Sequence, residues 1–243
     1  MYNFLELEFL KLKRSKIFLL TMVGAAFPSF LIFLSAVFGE FDEIVSFKSF
    51  IGNVSMYMSL IFVILLFTII ISYLFGREYN EHTLKTVLTA PTSRASFILS
   101  KYLMFLVWVV LVTVVTGVSA VVFGYLAGAT GLTVNVFVTG FGEMLFSNFL
   151  LFLTFAPLVF VCLIVTNMVP AMIGGAVLTF TNMLVASSKY SVYFPWSCPY
   201  MIASGEIAQY TSNYILSYGI ILFTFIVGLF LSYLYFTRKD IPL

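Results

Sequence analysis

The chain has 243 residues, of which 62% are hydrophobic and only 9% are charged, and it carries a net charge of +2. Domains that fold in water carry about 25% charged residues. This composition therefore excludes a water-soluble fold. Together with the six apolar runs described below, it predicts one all-α membrane domain over residues 1–243.

The N-terminal segment, residues 3–16, mixes apolar and charged side chains. Phe4, Leu5, Phe9 and Leu12 stand at helical spacing, with glutamate and lysine residues between them. This pattern indicates an amphipathic helix that lies on the inner membrane surface. The alternative is a charged flank that serves only in membrane insertion.

Six apolar runs follow along the chain. All but the fifth reach the roughly 20 residues that a helix needs to cross the hydrocarbon of a bilayer. Pro28 and Pro157 predict kinks in the first and fourth spans, because proline lacks a backbone donor. Gly174 and Gly175 predict a close approach of the fifth helix to a neighbour. The predicted spans are residues 17–38, 54–75, 103–126, 144–165, 170–186 and 215–236.

Basic residues are distributed unequally between the two ends of these spans. Ten of the 12 Lys and Arg residues fall on the side of the two termini, and only Lys48 and Lys189 fall on the other. Cytoplasmic loops of membrane proteins are enriched in Lys and Arg. We therefore expect a multi-pass protein of the cell membrane, surrounded by lipid, with both termini in the cytoplasm.

The predicted span interiors contain no ionisable residue. Ion-coupled transporters and pumps normally hold such residues at mid-membrane, so a secondary transporter is not expected. The single histidine, His82, rules out an H-E-x-x-H protease, and no phosphate-binding G-x-x-x-x-G-K-[ST] loop is present. We expect no catalytic residue, metal site or cofactor on this chain. Its scattered basic residues predict no nucleic-acid partner.

The longest predicted cytoplasmic segment, residues 77–101, joins spans two and three. Glu81 and Lys85 stand four residues apart, which is a favourable pair on a helix, and Pro91 ends the pattern. The segment also has an apolar stripe, formed by Leu84, Val87 and Leu88. It predicts a short amphipathic helix across the inner mouth of these spans. A helix that rests on lipid headgroups is the alternative.

The same segment has the form R-E-x-x-x-x-T-L-K-x-x-L-x-x-P-x-S-R-x-x-x-x-x-x-K. It resembles the coupling segment of type-2 ATP-binding-cassette (ABC) permeases, which also joins spans two and three of six. Members of that family usually have glycine where this chain has His82. The resemblance is carried by Arg77, Glu78, Thr83, Leu84, Lys85, Leu88, Pro91, Ser93, Arg94 and Lys101.

The resemblance implies a transport subunit and not an enzyme. Two permeases, identical or related, would form the pathway, and two separate ATPase subunits would bind below and hold ATP and Mg²⁺. Closure of the ATPases would push on the coupling segment. The residues implied in this coupling are Glu81, His82, Thr83, Leu84, Lys85, Val87, Leu88 and Pro91.

The longest predicted outer loop, residues 187–214, is rich in aromatic residues. Its segment YFPWSCPY, residues 193–200, resembles the Pro-Trp segment of permeases that export bacitracin or lantibiotics. The resemblance implies a re-entrant segment of short helices that caps the pathway before the last span. We expect Trp196 to pack against span five or a second permease. An interfacial aromatic belt is the alternative.

Export of an amphipathic peptide antibiotic, for self-protection or resistance, is the predicted function. An ABC permease for a toxin peptide, a small hydrophobic drug or sodium remains open, as does a non-transporting scaffold or sensor. Polar groups of spans two and five, with one outer-loop aromatic, are predicted to line the substrate pathway. For Asn182 the alternative is a hydrogen bond to a neighbouring helix. The pathway residues are Thr68, Ser72, Thr179, Asn182 and Trp196.

Overall fold

A computed structural model describes Phe9 and residues 15–39, 45–80, 94–165 and 168–238. Over these residues the chain is helical, without a β-strand. The predicted coupling helix lies outside the described residues. Of the predicted interfacial helix only Phe9 is described, and it is helical.

The described residues contain six stretches that are long and apolar enough to cross a membrane, which confirms the six predicted spans. The described α-helices are numbered in chain order, and a π turn lies between the second and the third. The α-helices are α1 (Lys16–Phe38), α2 (Phe47–Tyr57), α3 (Val63–Asn80), α4 (Arg94–Leu126), α5 (Val134–Thr154), α6 (Ala156–Ile164), α7 (Met168–Ala186), α8 (Cys198–Ala203) and α9 (Tyr214–Arg238). The other helical turns are the π turn Met58–Phe62 and the 3-10 turns Ser191–Tyr193 and Glu206–Gln209.

The second span is longer than the sequence predicts. It runs over 31 residues from Phe47 to Arg77, whereas the predicted span began at residue 54. At 1.5 Å per residue it is about 46 Å long, compared with about 30 Å of hydrocarbon. The extra turns lie at its N-terminal end, where the Ser46 hydroxyl accepts from the Ser49 N–H and starts the helix. This end belongs to the face opposite the two termini, which we name the distal face.

The fourth span also begins earlier than predicted. Residues 127–143 were expected to form an outer loop, but α5 starts at Val134, after the Thr133 hydroxyl accepts from the Val136 N–H. Gly140 and Gly142 of this stretch lie inside the helix, whereas Gly128 and Gly131 precede it with positive φ. A methyl group at Gly140 would meet Ile51 of α2 at 2.5 Å, so this glycine permits close packing of α5 on α2.

The fourth span is interrupted next to Pro157, where the sequence predicts a kink. The helix is interrupted at Phe155, whose N–H donates to the Phe152 carbonyl, and α6 begins at Ala156. Helix α9 packs against this break so closely that a methyl group at Gly228 would overlap the backbone of Ala156 and Pro157. Pro28, by contrast, is buried inside α1, which continues through it.

Helices α3 and α7 pack together through the predicted glycine contact. A methyl group at Gly175 would overlap the side chain of Thr68, whereas one at Gly174 would meet no atom within 4 Å. Helix α1 packs on α4, where the Trp108 Nε1 donates to the Thr21 Oγ1 at 3.0 Å. Small and hydroxylated residues thus bring the spans into close contact.

Spans two and three are joined at the distal face by backbone hydrogen bonds. The Phe47 N–H donates to the Thr130 carbonyl at 2.9 Å, and the Thr130 N–H donates to the Val45 carbonyl at 3.0 Å. The ring of Phe47 also lies 4.9 Å from that of Tyr125, between ring centroids. The start of α2 is therefore fixed to the end of α4.

The segment between α7 and α9 folds into short helices, as the family resemblance implies. The Ser197 hydroxyl donates to the Ser191 carbonyl at 2.6 Å, and the Ser217 hydroxyl of α9 donates to the Val192 carbonyl at 2.7 Å. These bonds hold the segment against the last span. Its depth in the membrane stays a prediction.

Candidate transport pathway and distal cavity

The predicted coupling residues, Glu81 to Pro91, lie outside the described residues. The structure places the two helices that they connect, since α3 ends at Asn80 and α4 begins at Arg94. The coupling segment is therefore attached directly to spans two and three, without an intervening described element.

Lys101 connects these two spans near the ends that the coupling segment joins. Its side chain is only 1% exposed, and its Nζ donates to the Leu74 carbonyl of α3. The Nζ also lies 5.0 Å from the ring centroid of Phe97 and 5.9 Å from that of Phe75. The sequence placed this lysine at the inner rim, but the structure buries it. A buried ammonium needs such partners to offset its lost hydration.

The predicted pathway residues of spans two and five lie in the contact between α3 and α7. Thr68 donates to the Ile64 carbonyl of its own helix at 2.7 Å, and Thr179 donates to the Gly175 carbonyl at 2.9 Å. Ser72 lies farther along α3, with its hydroxyl 3.9 Å from the sulfur of Cys162 in α6. All these hydroxyls are buried between helices. Their part in a substrate pathway stays a prediction.

Asn182 connects span five to the π turn of span two. Its side chain is fully buried, and its Nδ2 donates to the Leu60 carbonyl at 2.8 Å. The predicted alternative, a hydrogen bond to a neighbouring helix, is therefore confirmed. Within the described residues, its Oδ1 has no hydrogen-bond partner. A buried polar atom without a partner is uncommon in native structures and marks a position of functional interest.

Trp196 lies in the short-helix segment before the last span. Its ring is partly buried, packs against the main apolar core, and lies 5.3 Å from the ring centroid of Phe194. Its Nε1 is buried, and the described part of the chain provides it with no acceptor. Trp196 therefore contacts protein. Its part in the pathway is a prediction that this packing leaves open.

A cavity of about 620 Å³ opens at the distal face, between α2, α5 and the segment around α8. Its volume lies within the range of small-molecule sites, about 300–1,000 Å³. The lining residues are Lys48, Ser49, Ile51, Gly52, Asn53, Ser55, Met56, Asn135, Val136, Thr139, Gly140, Glu143, Tyr200, Ser204 and Glu206.

The cavity is lined by two carboxylates and one ammonium group, those of Glu143, Glu206 and Lys48. The Tyr200 hydroxyl donates to the Glu206 Oε1 at 3.1 Å. Burial, together with the negative charges of Glu206 and Glu143, raises the pKa of Tyr200 above its ordinary value. Tyr200 therefore stays protonated and keeps its role as a donor to Glu206.

Sequence reasoning did not find this cavity. It treated Lys48 and Glu143 as outer-loop residues, whereas both stand on helices that continue beyond the predicted spans. We expected no charge inside the spans because the predicted spans were shorter than the helices and so left Lys48 and Glu143 outside. One signal was present: Asn135, Thr139 and Glu143 stand four residues apart and so share one helix face.

Comparison with known proteins gives the family. Residues 4–182 match the family described as ABC-2 family transporter protein. Over 201 residues the chain is 34% identical to the Bacitracin transport permease protein BCRB of Bacillus licheniformis, an alignment that covers 82% of this chain and 96% of that protein. With its six apolar spans, this multi-pass membrane chain therefore belongs to the ABC-2 family and is a permease subunit of an ABC transporter.

Proposed function

We propose that this chain is the membrane subunit of an ATP-driven exporter that protects the cell from an amphipathic peptide antibiotic. The observation that carries this proposal is the 34% identity to a bacitracin transport permease over 82% of the chain. The cargo class agrees with the spans, which offer apolar and hydroxyl groups along most of their length. Such a surface suits an amphipathic molecule better than a bare ion.

The partners follow from the family. An ABC permease associates with an ABC ATPase, and the proposed assembly contains two ATPase subunits and a second permease, identical or related. ATP and Mg²⁺ bind to the ATPases. The excess of Lys and Arg on the side of the termini favours cytoplasmic termini, so that the distal face points out of the cell.

The proposed mechanism begins at the coupling segment. ATPase closure displaces residues 81–91, which are attached to α3 and α4. Movement of α3 changes its contact with α7, where Thr68 and Asn182 lie. The peptide then passes between the spans toward the distal face. Trp196 and the short helices around it close the outer end of this route.

A resistance assay tests the proposal. The chain is expressed in a bacitracin-sensitive Gram-positive host together with an ABC ATPase that co-purifies with it, and the minimal inhibitory concentrations of bacitracin and several lantibiotics are measured. We expect protection against at least one peptide, and we expect it to disappear when the ATPase carries an inactivating substitution. Unchanged sensitivity to every peptide, with both proteins present in the membrane, would contradict peptide export.

A further inference from the structure

We infer that the distal cavity binds the cationic group, an ammonium or guanidinium, of an amphipathic peptide at the outer face. The peptide as the source of that group rests on the proposed function. The recognition of a cation rests on the cavity itself. Its volume of about 620 Å³ accommodates one end of a peptide and not the whole molecule.

The charges in the cavity favour a cation. Glu143 and Glu206 are both partly withdrawn from water, whereas Lys48 is exposed. The two carboxylates therefore exceed the single ammonium by one negative charge. Electrostatic attraction grows as water is excluded, so a cation that enters gains most near the partly buried carboxylates.

The hydrogen-bond balance of the cavity points to the same ligand. Ser55 lines the cavity, is 4% exposed, and its hydroxyl makes no side-chain hydrogen bond to any described residue. Within the same part of the chain, Glu206 accepts at its carboxylate from Tyr200, and Glu143 makes no hydrogen bond but is attracted by the charge of Lys48. Carboxylates only accept, and an ammonium only donates. The Ser55 hydroxyl can accept as well as donate, and the carboxylate oxygens can only accept, so together they suit the donors of a cationic group.

Apolar residues complete the site. Ile51 of α2 and Val136 of α5 line the cavity together with Met56. Lysine and arginine side chains bury their methylene stems on such surfaces while the charged group reaches polar partners. The cavity thus offers both an apolar wall and carboxylates, as an aliphatic cationic side chain requires.

The cavity lies at the outer end of the second span. Its lining residues between 48 and 53 come before residue 54, where the apolar run of the sequence begins, and the Ser46 cap starts the helix there. A peptide at the outer surface reaches this position directly.

The reactivity of a thiol introduced into the cavity measures the electrostatic potential there. Thr139→Cys places a thiol on its wall, and the chain without this substitution is the control, because Cys162 and Cys198 are buried. The protein is held in nanodiscs of phosphatidylglycerol, a lipid whose headgroup contains no amine. We expect a cationic methanethiosulfonate to react faster than an anionic one. The ratio of the cationic to the anionic reaction rate should fall about threefold with Glu143→Gln or Glu206→Gln, and rise about threefold with Lys48→Gln.

These opposite signs distinguish a charge effect from loss of structure, which would shift all variants in one direction. Glu143→Asp keeps the charge and should keep the ratio. A ratio that does not respond to Glu143→Gln and Glu206→Gln would overturn the inference.

Protection measures binding. We expect N-octanoyl-lysine amide to slow modification of the introduced thiol severalfold, and the neutral N-octanoyl-glutamine amide to have no effect. Glu143→Gln with Glu206→Gln should abolish the protection. Equal protection by the neutral compound would overturn the inference. Protection by phosphatidylethanolamine in the nanodisc, without effect of the lysine compound, would overturn it also, since a lipid would then occupy the cavity.

Neither assay uses the ATPase or any transport step. If the cavity binds the lysine compound but the cell gains no resistance to the antibiotic, only the proposed function is contradicted. If the cell gains resistance but the cavity does not bind the lysine compound, only the cation site is contradicted.

Discussion

Asn182 shows how one buried amide connects two spans. Its partner is a carbonyl of the π turn Met58–Phe62, in which the Val63 N–H bonds to Met58, five residues back. This pattern takes backbone groups out of their ordinary helical pairing. The side chain of Asn182 supplies a donor at the point where the helix is irregular. Irregular backbone is tolerated at membrane depth only where protein or a wet cavity covers it.

We expect Asn182→Leu to destabilise the protein by about 1–3 kcal/mol, because the Leu60 carbonyl loses its donor in a buried site. For a chain of this size that corresponds to a decrease in Tm of about 2–12 °C, measurable by thermal unfolding in detergent. Thr181→Ala is the control, since Thr181 is only half-buried and its hydroxyl donates to the Val177 carbonyl of its own helix. An unchanged Tm for Asn182→Leu would contradict this role.

A second measurement on Asn182→Cys tests the pathway. Reaction of the introduced thiol with a small water-soluble reagent in one nucleotide state of the complex is the result expected of a pathway residue. Absence of reaction in every nucleotide state would leave Asn182 with a packing role only.

Among the helices, the contact between α9 and α6 depends on the absence of a side chain. Gly228 lies directly on the backbone of Ala156 and Pro157, where the fourth span is broken. The break itself is predictable, because Pro157 cannot donate in a helix. Its packing partner is not predictable, because the sequence does not indicate which helix covers the break.

We expect Gly228→Ala to destabilise the protein by about 1–3 kcal/mol, since backbone atoms cannot move aside as a side chain can. Gly219→Ala is a matched control in the same helix, because a methyl group there meets no atom within 4 Å. It should be neutral or slightly stabilising, as alanine favours a helix over glycine. Thermal unfolding of both purified variants makes the comparison, and equal Tm values would refute the close contact.

The number of spans and their positions were predictable because hydropathy alone determines which segments enter the bilayer. The ends of spans two and four were not. Hydropathy locates the hydrocarbon boundary, whereas α2 and α5 continue beyond it with Lys48, Asn135 and Glu143 on their surfaces. Their true starts are set by the caps of Ser46 and Thr133, which are local signals that the apolar pattern obscures.

For the whole molecule, the family could be predicted from one contiguous segment, residues 77–101, because a linear motif is recognised without knowledge of the tertiary structure. The distal cavity was not readable. Its walls come from residues near 50, near 140 and near 203, and only the packing of α2, α5 and α8 brings them together. Sites of that kind require the tertiary structure.

The coupling segment gives a prediction for the assembled transporter. Leu88→Asp should prevent the ATPase from binding, because an unpaired charge in an apolar groove costs several kcal/mol. Thr86→Asp, on the opposite side of the predicted helix, is the control and should leave binding intact. Co-purification of the ATPase with each variant is the measurement. An ATPase that still binds Leu88→Asp, with resistance unchanged, would show that coupling occurs elsewhere.

Spans two and three are fastened to each other at both extremities. On the side of the two termini, Lys101 joins them by its hydrogen bond to the Leu74 carbonyl. At the distal face, the backbone bond between Phe47 and Thr130 joins them. Two helices bonded to each other near both ends resist spreading apart, so we expect a force on the segment between them to move both together. We expect the relative motion of the power stroke to occur where this pair meets α7, and not between its two members.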